Sequence, residues 1–440
     1  MFAFVQKIVS HQKKDYCLLL IILTLLASFE FCFLAMYEHL SHLGLDTITF
    51  MFISFIPFIA LIIAIVLSIF ITKYFIQNKQ HEFSMLLLFG RKPKDLFTYL
   101  MIQYGIMLII AFLLGFCLGI LWMLGMNTFF QFIQLNFLFQ YNIPYTLFIY
   151  MFFILATFIL ILAISASQFT YIDCHIMETL TQKTTRGIAP YKISMSRHFY
   201  KRQIPIGSIL IAIIEFIILF YSIYALITIS LLENKLVYFL LCFSAIIYLS
   251  NRFIPLLFDL CHQQIVHHPF LFHAMTSYMY MTHQLSSITN IHSIILPLIF
   301  MLLIMCDQTN FLSPFIIPCF VMILMMLLLS FIIKYTLYLQ SLQRTYATQG
   351  ALGYHPQQLF KISLLKNLIF LLSIVFIPYL YIHYLGQYII MSHILKSQVM
   401  YSLEILYVVL YLIFMMYMIC KEKQFIKEVT SHVKYLNRSE

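Results

Sequence analysis

Two carboxylates stand inside long apolar runs of this chain, Glu30 and Glu215. A charge at the centre of a bilayer costs about 2.5–3.5 kcal/mol on insertion scales, so such a group is protonated, is paired, or serves a function. Glu30 lies in the outer half of its run, within reach of the interface. Glu215 is deeper, where protonation or pairing with a polar helix face would hold it. Proton-coupled transport uses groups of this kind, but two isolated carboxylates with no Lys or Arg in the middle of any run make no relay. The 16 histidines include a cluster of His262, His267, His268 and His273, and Asp173, Cys174, His175 and Glu178 form a second titratable cluster. Neighbours on a helix point about 100° apart, so His267 and His268 do not converge, and no H-x-x-x-H closes either set. No metal site is expected. None of the nine cysteines stands in C-x-x-C spacing, and most lie in apolar runs, so they read as small buried hydrophobes. No G-x-x-x-x-G-K-[ST] occurs, and Gly90-Arg-Lys-Pro-Lys has too few glycines to cradle phosphates. No catalytic residues and no cofactor are therefore expected in this chain.

The elements that carry these residues belong to lipid. Of the 440 residues, 62% are hydrophobic and 10% charged, against about 45–50% and about 25% in soluble domains. A helix needs about 20 apolar residues to cross a bilayer. Runs of that kind lie near 16–36, 50–71, 100–124, 145–166, 206–229, 236–250, 288–305, 315–333, 364–385 and 403–420, the sixth being the shortest. The expectation is an all-α integral membrane protein of about ten spans. With the N-terminus inside, the outer loops hold only Lys235 and Lys396 of the 26 Lys and Arg residues, which places both termini in the cytoplasm. The net charge of +10 then faces anionic headgroups rather than nucleic acid. The longest outer loop, from about Gly125 to Pro144, carries no charge.

Two inner loops resemble each other. LLLFGRKPKDLF at 86–97 and GALGYHPQQLF at 350–360 share G-x-x-P-x-x-L-F, with Gly90, Pro93, Leu96 and Phe97 matching Gly353, Pro356, Leu359 and Phe360 at a constant offset of 263. Gly suits a helix C′ position with positive φ, and Pro suits the first turn of the next helix. The segment from His81 to Phe89 is apolar yet outside the expected spans, and Arg91, Lys92 and Lys94 give it a basic rim. Such a helix either docks a partner or lies on the lipid surface. Internal repeats of this kind are common in transporters.

Glu82 eight residues before Gly90, between a long span and the glycine-bearing 100–124 run, resembles the core of FtsX/MacB-type ABC permeases. GFCLG, from Gly115 to Gly119, continues the likeness with a small-xxx-small face for close helix packing. The order of spans is most similar to the ten-span BceAB type: a four-helix unit at 1–168, a basic linker at 169–205, two extra helices with their inner connection at 206–287, and a second four-helix unit with a basic tail at 288–440. The second copy departs from the first, with Thr345 in place of Glu82 and Pro378 in place of Gly115. The large extracellular domain of that type is missing, its place being the turn after Cys306.

The resemblance implies a permease subunit in a bacterial plasma membrane. Its ATPase would be a separate subunit, acting as a dimer and holding ATP and Mg. A sensor histidine kinase and membrane lipids would be further partners, and amphipathic peptides or lipid-linked compounds the cargo. The docking residues it implies are Glu82, Met85, Leu86, Phe89, Gly90, Arg91, Pro93 and Lys94, with Gly353, Pro356 and Leu359 in the second copy. A secondary transporter or channel, or a membrane subunit that only signals or scaffolds, are the other readings the residues allow.

Overall fold

In the computed structural model the described residues are 13–42, 62–72, 92–132, 141–174, 206–228, 232–249, 267–305, 313–391 and 397–436, with a few isolated positions between 54 and 90 and at 256. They form α1 (Lys13–His42), α2 (Ile62–Thr72), α3 (Pro93–Phe132), α4 (Ile143–Cys174), α5 (Ile206–Thr228), α6 (Leu232–Tyr248), α7 (Pro269–Met305), α8 (Ser313–Ser341), α9 (Gln343–Ala351), α10 (Pro356–Met391) and α11 (Ser397–Leu436). No strand occurs among them. Seven helices, α1, α3, α4, α5, α8, α10 and α11, are long and apolar enough to cross a membrane. The chain is an all-α, multi-pass integral membrane protein. Of the other three expected spans, 236–250 overlaps α6, 288–305 is the second half of α7, and of 50–71 the described helix is α2, over its last part.

Helices outrun the apolar runs that betray them. The uncharged stretch expected as a loop from Gly125 stays helical to Phe132, because one glycine costs a helix interior only about 1 kcal/mol relative to alanine, too little to end it. The stretch expected as an inner connection before 288 is helical from Pro269 onward, with proline at the start where its missing N–H costs nothing. A hydropathy reading ends where lipid ends, whereas a helix ends where its backbone bonds are capped.

Contacts divide the chain into two compact units. One comprises Met1–Arg186 with Pro314–Ile333, the other Gly187–Ser313 with Lys334–Glu440. In the first, α1 packs on α3 and α4. Ala27, Phe31, Leu34 and Tyr150 form its buried centre, with Phe31 edge-on to both Phe116 and Tyr150. Gly115 and Gly119 are where α3 meets α1. A Cβ on Gly115 would lie 2.7 Å from Ala27 Cβ and 3.1 Å from the Ser28 backbone nitrogen. One on Gly119 would lie 2.6 Å from the Phe31 ring, and the Cys32 thiol points at the Gly119 carbonyl at 3.6 Å. Only a hydrogen at these positions permits backbones so close. In the second unit, α7 packs on α10, α10 on α11, α5 on α6, and the short α9 on α11.

Glu30 departs from its expected place. It is 2% exposed and turned into the first unit, beside a cavity lined by Ala27, Ser68, Phe112 and Thr157, instead of reaching an interface. The crossing of α1, α3 and α4 decides which face of α1 is interior, and spacing along one helix does not.

Candidate functional site

The two G-x-x-P turns are built alike. Gly90 has φ 83° and Gly353 has φ 91°, the left-handed region where a side chain is strained. The second turn shows its full capping. The Tyr354 N–H donates to the Gln349 carbonyl at 3.1 Å and the Gly353 N–H to the Gly350 carbonyl at 3.1 Å, which is a Schellman closure with glycine at C′. Pro356 then opens α10 at its first position. Gln358 Oε1 accepts from the His355 N–H at 3.2 Å, the return half of a capping box. In the first turn the Gly90 N–H donates to the Leu87 carbonyl at 3.0 Å, and Pro93 begins α3.

Around these turns the apolar residues face outward. Phe89 is 82% exposed and Leu352 is 73% exposed, and Tyr354 beside Gly353 is also open. Lys92 and Lys94 are exposed on the first turn. Glu82, Met85, Leu86 and Arg91 lie outside the described residues, as does the side chain of Pro93. Leu359, expected on the docking face, is 1% exposed and packs into its own unit. It shares the inward face of α10 with the half-buried Pro356 three residues before it, while Gln357 and Gln358 between them are exposed.

Of the titratable clusters, His175, Glu178 and His262 lie outside the described residues, while His267 and His268 are exposed. His273 is drawn into a different contact, its Nε2 lying 2.6 Å from Gln349 Nε2 on α9.

The second unit also contains a buried polar cluster to which no motif in the chain points. Lys366 on α10 and Glu422 on α11 form a buried ion pair, Nζ to Oε1 at 2.5 Å, with side chains 1% and 0% exposed. The Tyr346 hydroxyl on α9 donates to the same Oε1. The other oxygen, Oε2, accepts from Tyr335 of α8 at 2.6 Å and from Asn367 Nδ2 at 2.7 Å. A carboxylate offers about four acceptor positions, and here all four are filled. Lys366 Nζ lies 5.1 Å from the centre of the Tyr338 ring, which supplies a π face on its other side. Burial and the adjacent Glu422 carboxylate push the Tyr346 hydroxyl well above its ordinary pKa, so it stays protonated and acts as donor. Lys366 and Glu422 stand 56 positions apart at the edges of two apolar runs. Only the helix crossing pairs them.

Neither the comparison with curated proteins nor that with solved structures gives a match. The stretch 54–173, which spans α2, the Gly90 turn, α3 and nearly all of α4, is similar to the family model described as FtsX-like permease C-terminal.

Proposed function

We propose that this chain is the permease subunit of an ABC system, driven by a separate ATPase that binds the exposed G-x-x-P turns on the cytoplasmic face. The observation that carries the reading is the family match across 54–173, which includes a turn presenting Phe89 to solvent at 82% exposure. An apolar side chain that open, beside Lys92 and Lys94, fits an apolar groove with an acidic rim. Glu82, Met85, Leu86, Phe89, Gly90, Arg91, Pro93 and Lys94 form the first contact. Gly353 and Pro356, with Leu352 and Tyr354, form the second, and Leu359 supports it from within. ATP binding in the partner dimer would move these turns and tilt the helices continuous with them. Amphipathic peptides or lipid-linked compounds are the proposed cargo, and the plasma membrane the proposed location.

The test is co-purification of an ATPase subunit. Gly90→Val places a β-branched residue at φ 83°, a strain of about 1–3 kcal/mol, and Glu82→Lys reverses a charge outside the spans. Both should release the ATPase while the permease stays in the membrane, and Gly353→Val should do less, since its rim is less basic. Undiminished capture by the Gly90→Val, Glu82→Lys double variant refutes the docking assignment and favours a hairpin lying on lipid.

A second reading has one observation behind it. Glu30 Oε2 is buried with no hydrogen-bond partner among the described residues, beside a cavity, as a proton-carrying carboxylate would be. If transport were proton-driven, Glu30→Gln would abolish it in a stably inserted protein.

A further inference from the structure

Helix α9 is nine residues long, QRTYATQGA, and no side chain caps its N-terminus. Isolated helices shorter than about 12–15 residues are marginal in water, so tertiary contacts must hold α9. They come from two neighbours within the same unit. On α11, Glu422 accepts the Tyr346 hydroxyl, the Tyr346 ring lies 6.3 Å edge-on from Phe425, and Thr430 sits 3.5 Å from where a Cβ on Gly350 would be. On α7, His273 meets Gln349. The Tyr346 bond differs from the rest in reaching a buried, charged acceptor. Glu422 is itself fixed by Lys366 and Asn367 of α10 and Tyr335 of α8. The polar centre therefore joins α8, α10 and α11 to the short helix that ends in the Gly353 turn.

We propose that Glu422 is the positioning residue of the second turn, holding α9 on α11 through the Tyr346 hydroxyl so that the Gly353 turn moves with α10 and α11 as one piece. What the turn meets rests on the docking reading above; the clamp itself concerns this chain alone. Lys366 keeps Glu422 ionised and aimed, and Asn367 and Tyr335 occupy the oxygen that α9 does not use. A displacement of the turn is then carried directly to two membrane-crossing helices, with no slack in a flexible link.

Amide hydrogen exchange on the purified full chain in lipid nanodiscs tests this. Tyr346→Phe keeps the ring on Phe425 and removes only the hydroxyl. A hydrogen bond to a charged group is worth enough that exchange across 343–352 should quicken about tenfold or more, with 356–391 and 397–420 unchanged. In the Lys366→Met, Glu422→Gln double variant the amide oxygen still accepts from Tyr346 but without charge, and α9 should exchange at an intermediate rate. The proposal is overturned if α9 exchanges at the wild-type rate in Tyr346→Phe, or if exchange quickens equally throughout the unit, which is the mark of a merely structural role. ATPase capture is measured on the same variants. Loosened α9 with full capture leaves the clamp standing and tells against the docking reading, so the two fail separately.

Discussion

Removing either member of the Lys366–Glu422 pair should be costly, and the two costs should differ. Breaking a buried ion pair by deleting one partner costs about 3–5 kcal/mol, because the survivor is left charged and unmatched. The survivors here are not equivalent. Without Lys366, the Glu422 carboxylate keeps Tyr335, Asn367 and Tyr346 as donors, and bonds to a charged acceptor are worth about 1.5–3 kcal/mol each. Without the Glu422 charge, the ammonium of Lys366 keeps mainly the Tyr338 ring, worth about 0.5–2 kcal/mol. Lys366→Met is therefore expected near the lower end of the range and Glu422→Gln near the upper, a difference of about 2 kcal/mol. The double variant should be more stable than Glu422→Gln alone, since no buried charge remains. The measurement is reversible unfolding of the detergent-solubilised permease, followed by helical circular dichroism, for wild type, both single variants and the double. If Lys366→Met proves the more damaging, or if the two effects simply add, the buried network does not hold together as described.

Gly115→Ala and Gly119→Ala should each destabilise by about 1–3 kcal/mol through overpacking, because the Gly115 Cβ meets Ala27 Cβ and the Ser28 backbone and the Gly119 Cβ meets a Phe31 ring held between Phe116 and Tyr150; thermal unfolding of both variants checks this, and wild-type stability in either would refute the close crossing of α1 and α3 there. Reporter fusions after Lys235 and after Lys396 are expected to report an external location, and a cytoplasmic signal at either would overturn the ten-span topology. Glu215→Gln should leave ATP-driven activity largely intact in a transport or resistance assay; complete loss with a shifted pH optimum would point instead to proton coupling.

The class of this protein was legible from its residues. Sixty-two per cent apolar content in runs of about 20 admits few solvents other than lipid, and the G-x-x-P repeat foretold two helix-to-helix turns because glycine at positive φ and proline at a first helical position are local requirements. Gly90 and Gly353 do lie at positive φ, and α3 and α10 do begin at Pro93 and Pro356. The small-residue face of α3 was visible for a similar reason, though not that α1 is what approaches it.

What the sequence left undecided is which groups meet. Glu30 turns inward because α3 and α4 cover that face of α1, and Leu359 lies on the inward face of α10 that it shares with Pro356. Lys366 and Glu422 escape a reading of the chain, since a residue's own neighbours say nothing of a partner 56 positions away. Their pairing follows from the crossing of α10 and α11 and from the docking of α9 beside them. Local chemistry sets where helices start and stop, and hydropathy sets their solvent. The packing of one helix on another sets which polar side chains are buried, and a buried charge persists only where that packing also delivers its counter-charge and donors.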